Sequence, residues 1–92
     1  MKIIFCKYGS SFGTRAFAEN LRSTVREEIN NNEKVVFDFT GVRVVSNSFA
    51  DELFGKLIKE IGFDVFKDKT TFEGASEEVI NVLLKAINDS IK

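Results

Sequence analysis

Residues 35–62 read VVFDFTGVRVVSNSFADELFGKLIKEIG, and this stretch decides the fold. It begins with the run Val35–Phe39, in which both odd and even positions carry apolar residues, as in a central strand covered on both faces. A second short extended piece, Val42–Val45, follows a turn. Apolar residues then repeat at helical spacing from 49 to 61, and Gly62 is typical of a helix stop. The stretch therefore predicts a buried strand followed by an amphipathic helix.

Upstream of this stretch, the sequence predicts one strand and one helix. Ile3–Lys7 is a short β-branched and aromatic run, which favours a strand. From Thr14 onwards, apolar residues recur at every fourth position up to Ile29 with charged residues off that stripe, which indicates an amphipathic helix. Asn30-Asn31-Asn32 favours the end of this helix, because Asn tolerates the left-handed conformation that stops helices.

Downstream, the pattern is less regular until the last helix. Phe63–Phe66 fits a strand or a turn, and Thr70–Phe72 predicts a short strand. Ser76 is typical of an N-cap, and an apolar stripe up to Ile91 predicts a final helix. The resulting β-α-β-α-β-α order predicts an α/β fold with a small, mainly parallel sheet and covering helices, in a single domain of residues 1–92.

Composition argues against several classes of protein. The formal net charge is -1, so no cationic field attracts a phosphate backbone, and nucleic acid is not an expected partner. Cys6 is the one cysteine, and no run approaches the ~18 apolar residues of a membrane span, so we expect a cytoplasmic protein that does not contact membranes. The chain has no histidine and no cluster with metal-ligand spacing, which predicts no metal, no cofactor and no enzymatic activity.

The polar triplet, Ser46-Asn47-Ser48, is the first candidate site. All three are N-cap residue types, and Asp51 lies three residues after Ser48, a spacing close to a capping box. Free amides at a helix start also favour an anion, including a phosphate on a serine there. Capping alone is one interpretation of the triplet, and a binding site at the same place is the other.

The second candidate site is the glycine-containing loop Gly9–Gly13 with Arg15 just after it. A Gly-rich loop between a first strand and a helix is where α/β folds bind phosphates, and Ser10, Ser11, Gly13 and Arg15 would then hold an anion. No Lys-Ser or Lys-Thr follows the second glycine, as a Walker A loop requires. An ordinary βα turn explains the composition as well, and Arg15 could pair with Asp38 or Asp51 instead of an anion.

The residues from Asp38 to Gly55 carry a resemblance to a known family. Asp38-Phe39 at the end of the central strand and Ser46-Asn47-Ser48-Phe49-Ala50-Asp51-Glu52 at the start of the helix resemble the STAS-like family DUF4325, and Arg15 matches a recurrent arginine of that family. The family is distantly related to the bacterial anti-sigma-factor antagonists, whose STAS domain binds a kinase-like ATPase. The resemblance implies a regulatory module that binds a protein partner, an ATPase of the histidine-kinase type.

The resemblance also implies where that partner would bind. Ser46, Asn47, Ser48 and Asp51 would lie at the contact, flanked by the helix-surface residues Glu52, Gly55 and Lys56. In the antagonists a serine at this helix start is phosphorylated, and the added charge of about -2 abolishes binding. Here that position aligns with Asn47, so Ser48 is the expected phosphoacceptor, with Ser46 as the other choice.

Three hypotheses for the function follow from these residues. The first is a non-enzymatic module that docks onto a protein. The second is a sensor of a small anion or nucleotide, held between the Gly9–Gly13 loop and the Ser46–Ser48 helix start, because both follow parallel strands and are expected to meet at one end of the sheet. The third is a self-associating domain that forms a homo-oligomer through a strand edge or a helix face.

Overall fold

Three short parallel strands form the main sheet of the protein. The computed structural model describes residues 1–31 and 34–91. In it, β1 (Lys2–Ile4), β3 (Val35–Asp38) and β5 (Thr70–Glu73) lie in the order β1-β3-β5. The register places Phe37 of the central strand between Ile3 and Phe72. The predicted parallel sheet is confirmed, and the strand predicted over Val35–Phe39 lies at its centre but ends at Asp38.

A second, two-stranded parallel sheet was not predicted. It pairs β2 (Ser11–Phe12) with β4 (Val44–Val45). The loop predicted at 9–13 is therefore partly extended, and Val42–Val45 contributes only its last two residues to a strand. Strands of two residues are too short to show an alternating pattern, so the sequence gives no periodic signal for them.

In the described residues, five α-helices and one π-helical segment surround or extend these strands, and three of these six segments form the middle helix (residues 47–61). The middle helix consists of α2 (Asn47–Ala50), a π-helical segment (Asp51–Gly55) and α3 (Lys56–Ile61). The other helices are α1 (Arg15–Asn31), α4 (Phe63–Lys69) and α5 (Glu77–Ser90). The predicted helices after Thr14, around 49–61 and after Ser76 are thus confirmed, and the structure adds α4.

Several sequence-based boundaries are corrected by the structure. Phe63–Phe66 is part of α4 rather than a strand or a turn, because Gly62 stops α3 with a φ of 89° and a new helix starts at once. The first strand ends at Ile4, and Phe5–Tyr8 forms a 3₁₀ turn instead of continuing it. Asn30 and Asn31 still belong to α1, while Asn32 lies outside the described residues.

The sheet is buried on one face and partly open on the other, which corrects the expectation of two covered faces. Val35 and Phe37 of β3 are buried, whereas Val36 and Asp38 between them are only partly covered. On the more open face, the Lys2 Nζ lies 2.6 Å from the Glu73 carboxylate across the sheet. A strand with one buried face needs polar residues at alternate positions, and Asp38 is the residue of β3 that provides this.

Phenylalanine rings fill most of the core. Phe5 stacks on Phe39 with ring centroids 4.3 Å apart, and Phe54 of the middle helix meets Phe37 at 5.1 Å. Seven of the ten phenylalanines are buried: Phe5, Phe12, Phe37, Phe39, Phe49, Phe54 and Phe66. This packing fixes the middle helix against the sheet and so positions the residues at its start. Among the described residues, no helix is long and apolar enough to cross a membrane.

Candidate functional site

Ser46 joins the small sheet to the middle helix and caps it. Its backbone N–H donates to the Phe12 carbonyl at 2.8 Å, which extends the pairing of β2 and β4. Its hydroxyl accepts from the Phe49 N–H at 3.0 Å and donates to the Gly13 carbonyl at 3.3 Å. The hydroxyl of Ser46 is therefore used within the fold, as the capping interpretation predicts.

The rest of the polar triplet is placed differently from the capping-box prediction. Because Ser46 is the N-cap, Asn47 and Ser48 are the first two residues of α2. Asp51 begins the π-helical segment and makes no capping box with Ser48. Asn47 is exposed and Ser48 is partly exposed, so these two side chains, unlike that of Ser46, face solvent at the helix start.

The two predicted loops meet at one end of the sheet, as expected. The Ser10 carbonyl accepts from the N–H groups of Arg43 and Val44 at 2.8 and 3.3 Å, and the Ser46 contacts with Phe12 and Gly13 continue this junction. Ser10, Ser11 and Gly13 are exposed. The anion-binding role predicted for them stays a prediction.

Arg15 extends from the first turn of α1 toward the middle helix. Its guanidinium lies 3.4 Å from the Asp51 carboxylate and 3.6 Å from that of Glu52. Asp51 and Glu52 are thus the partners of Arg15, and Asp38, the other carboxylate proposed for it, is engaged elsewhere. The Thr40 N–H donates to Asp38 at 2.9 Å, and hydrogen bonding by Thr40 lowers the pKa of Asp38.

Glu52 is buried, which corrects its prediction as a solvated residue flanking the contact. Its side chain is 8% exposed and lies 2.7 Å from the Lys56 ammonium and 2.8 Å from the Arg22 guanidinium. Hydrogen bonds from Lys56 and Arg22 outweigh the effect of burial and lower the pKa of Glu52 from 4.5 to about 2. The carboxylate therefore stays ionised at neutral pH and joins α1 to the middle helix.

Gly55 is also buried and cannot flank a contact at the surface. A methyl group added there would lie 2.9 Å from the Asp51 carboxylate oxygen and 3.8 Å from the Ala86 carbonyl of α5. The close contact is the one with Asp51, whereas 3.8 Å from Ala86 is an ordinary van der Waals distance. Lys56 is exposed as predicted, although its ammonium is paired with Glu52.

An open cleft of about 180 Å³ lies between the start of the middle helix and α5. We call it the polar cleft, and it is lined by Arg15, Asn47, Ser48, Asp51, Lys85, Ala86 and Asp89. Three of the residues predicted from the resemblance, Asn47, Ser48 and Asp51, thus share one surface with the predicted Arg15. The sequence reasoning missed Lys85 and Asp89, whose i,i+4 spacing is common on any exposed helix face.

The polar cleft carries charges of both signs. The Lys85 ammonium lies 3.4 Å from the Asp89 carboxylate, and the Arg15–Asp51 pair has the same separation. These four side chains are about half exposed or more, so water screens both pairs and the side chains can exchange partners at low cost. The cleft can therefore offer donors and acceptors to another polar surface. Within residues 1–31 and 34–91, no group of three His, Cys, Asp or Glu side chains could hold a metal ion.

These features define a small α/β domain with a parallel sheet, a π-containing central helix and a polar surface cleft. The sequence profile of the STAS-like domain of unknown function, DUF4325, matches residues 17–80. The chain therefore belongs to this family, and its mixed architecture is consistent with a STAS-like fold. No curated protein and no solved structure matches the chain. Arg15, Lys85 and Asp89 of the polar cleft lie outside the matched residues.

Proposed function

We propose that the protein is a non-enzymatic regulatory module that docks onto a protein partner through the polar cleft. One observation carries this proposal. Asn47, Ser48 and Asp51, which the resemblance assigns to a partner contact, lie together on one solvent-open surface beside Arg15 and Lys85. The STAS-like family supports a regulatory role in general, and the docking site is our addition to it.

The shape and charge of the polar cleft favour a protein over a small ligand. Pockets for small molecules usually hold roughly 300–1,000 Å³ and are mostly apolar. The polar cleft is smaller, at about 180 Å³, and Ala86 is the one apolar residue among those that line it. Its paired charges of both signs resemble the polar rim of a protein interface, where complementary charges fix the register of the partner. The sensor of an anion or nucleotide is therefore the weaker hypothesis.

The partner that we propose is an ATPase of the histidine-kinase type. This choice rests on the resemblance to the relatives of the anti-sigma-factor antagonists, and the cleft is compatible with it because a protein surface can present charges of both signs.

Ser48 is the residue at which we propose that modification would control docking. Its hydroxyl makes no hydrogen bond within the described part of the chain, and it lines the polar cleft. A phosphate there would add a charge of about -2 beside Asp51, next to the cations Arg15 and Lys85. Those cations would then pair with the phosphate instead of the partner, so we expect phosphorylation to weaken docking.

A binding titration with a matched pair of charge reversals tests the docking site. The probe is a purified ATPase domain of the histidine-kinase type, with and without ATP. Lys85→Glu reverses a charge in the polar cleft, and Lys67→Glu makes the same change on the exposed surface of α4, outside the cleft. We expect Lys85→Glu to raise the dissociation constant about tenfold or more and Lys67→Glu to leave it unchanged.

Two outcomes would contradict the proposed function. One is that the protein binds the ATPase domain neither with ATP nor without it. The other is an equal loss of affinity in both variants. For the modification, Ser48→Asp should bind more weakly than Ser48→Ala, and equal affinities would remove Ser48 from the proposal. Thermal-shift measurements with ATP and inorganic phosphate complete the test, because a small-ligand sensor at 100 times the dissociation constant would gain about 2.7 kcal/mol of stability. We expect no shift.

A further inference from the structure

Strand β1 lies at one edge of the main sheet, and within residues 1–31 and 34–91 no strand pairs with its outer side. The Met1 carbonyl accepts from the Val36 N–H at 2.8 Å, so alternate residues of β1 bond to β3, beginning with Met1. The main-chain N–H and C=O of Lys2 and the N–H of Ile4 therefore point away from the sheet. Unpaired groups of this kind are a template for another strand.

An open groove of about 240 Å³ runs beside this strand edge. We call it the edge groove. It is lined by residues 1–4, by Lys7 and Tyr8 of the 3₁₀ turn, and by Thr24 and Glu28 of α1. Because α1 forms a second wall, a segment that pairs with β1 would also contact side chains of that helix.

The main-chain groups of β1 favour an extended polypeptide as the occupant of the edge groove. Another strand repeats N–H and C=O groups at the spacing of β1, and such strand addition is a common mode of peptide recognition. Tyr8 adds a side-chain contact, since it is 49% exposed and its hydroxyl makes no hydrogen bond within the described part of the chain. Its ring is supported by Phe17, with centroids 6.1 Å apart. A half-exposed tyrosine presents both an apolar ring and a polar tip to a partner.

The charges of the edge groove favour an acidic segment. Lys7 is exposed and makes no ion pair among the residues that the structure describes. Lys2 pairs with Glu73, but both side chains are about half exposed, so Lys2 can exchange this partner at low cost. Glu28 is the one carboxylate among the described residues that line the groove.

The same lysines disfavour a second copy of the chain at this edge. Pairing of two β1 edges would bring Lys2 and Lys7 of one copy near those of the other, and like charges on neighbouring strands repel. Lysines on an edge strand are a common means of preventing such edge-to-edge pairing. An acidic strand meets no such repulsion.

We propose that the edge groove binds an acidic, extended segment of a partner protein, which adds a fourth strand to the main sheet beside β1. The strand has three residues and spans about 10 Å, so few main-chain hydrogen bonds form. The dissociation constant for an isolated peptide should therefore lie between about 100 µM and about 1 mM. The proposal is independent of the proposed function, because the edge groove and the polar cleft share no lining residue.

A nuclear magnetic resonance titration of the full chain tests strand addition. The probe is an acetylated and amidated hexapeptide of alternating glutamate and valine. It should shift the amide resonances of residues 2–4 in a saturable way and slow hydrogen exchange of the Lys2 and Ile4 amides about tenfold or more. Two control peptides should not bind. One carries lysine in place of glutamate, and the other is methylated at every main-chain nitrogen, so that it cannot donate hydrogen bonds to β1.

A matched pair of charge reversals locates the binding site. Lys7→Glu should raise the dissociation constant about fivefold or more, whereas Lys59→Glu, on the exposed surface of α3 outside the edge groove, should leave it unchanged. Absence of binding at about 2 mM of the acidic peptide overturns the proposal. So does equal binding of either control peptide, or equal loss of affinity in both variants. Protection of the Lys2 and Ile4 amides that grows with protein concentration in the absence of peptide would assign the edge to a second copy instead.

Discussion

The Arg22 guanidinium binds Glu52 twice: it donates to the side-chain carboxylate at 2.8 Å and to the backbone carbonyl of the same residue at 2.5 Å. Glu52 lies in the π-helical segment, where the backbone hydrogen bonds of the middle helix depart from the α pattern. Arg22 thus supplies a donor to this irregular turn and neutralises its buried charge. Because Arg22 is 14% exposed, water cannot easily replace it.

Replacement of Arg22 by Met should therefore destabilise the fold, because it leaves Glu52 buried with fewer cationic partners. We expect the Tm to fall by roughly 5–10 °C. Arg26→Met is the control, since Arg26 pairs with Glu60 at 2.6 Å but both side chains are well exposed. Thermal unfolding followed by circular dichroism measures the difference, and equal Tm values for the two variants would refute a structural role for the buried pair.

Glu52 should also make stability depend on pH in the acidic range. Its pKa is about 2 in the folded protein and 4.5 ordinarily, so the unfolded chain takes up the proton first as the pH falls. The stabilisation from Glu52 is therefore present above pH 4.5 and is lost progressively between pH 4.5 and about 2. As the pH is lowered over this range, the urea midpoint of unfolding should fall less steeply in Glu52→Gln than in the wild type. Parallel curves for the two proteins would show that Glu52 is not the source of this pH dependence.

Gly74 is the glycine whose replacement should cost most. Its φ is +74°, and an added methyl group would lie 2.9 Å from the Thr40 backbone nitrogen and closer still to the Thr40 hydroxyl. Gly74→Ala should therefore lower the free energy of unfolding by at least about 2 kcal/mol. Gly13→Ala is the control, because nothing lies within 4 Å of the added methyl group and its φ is not positive. Denaturant unfolding of both proteins compares them, and a mild effect at Gly74 would contradict the close approach to Thr40.

Denaturant unfolding can also show that Ser46 caps the middle helix and that Ser48 does not contribute to stability. Ser46→Ala removes the cap of the middle helix and the contact with Gly13, and should cost about 1–2 kcal/mol of stability. Ser48→Ala removes a hydroxyl without a hydrogen bond in the described structure, so stability should change by less than about 0.5 kcal/mol. A larger loss at Ser48 than at Ser46 would reverse the assignment of the cap.

Much of the architecture could be predicted from hydrophobic periodicity. Val35–Phe39 and the apolar repeats of α1, the middle helix and α5 each extend far enough to distinguish a strand from a helix. The second sheet and α4 could not be predicted in this way. The strands of that sheet are two residues long, and in α4 Phe66 is the single buried residue, so neither shows a periodic pattern.

The candidate site was predicted in part. Asn47, Ser48 and Asp51 were found because short polar residues at a helix start have an identifiable chemistry. Glu52 and Gly55 were misplaced, because an inserted residue in a π turn changes which positions of a helix face the core. Lys85 and Asp89 depend on how α5 packs across the middle helix, and this is tertiary information that local spacing does not contain.

The π-helical segment also determines the direction in which side chains at the start of the middle helix project into the polar cleft. Lys56 donates its N–H to the Asp51 carbonyl five residues back, so one turn of the middle helix holds an extra residue. One residue corresponds to about 100° of rotation in an α-helix. Removal of one residue from 51–55 would restore ordinary winding and turn Ser48 away from Lys85, even though both amino acids would still be present. The geometry of this surface is thus encoded by residue count as much as by residue identity.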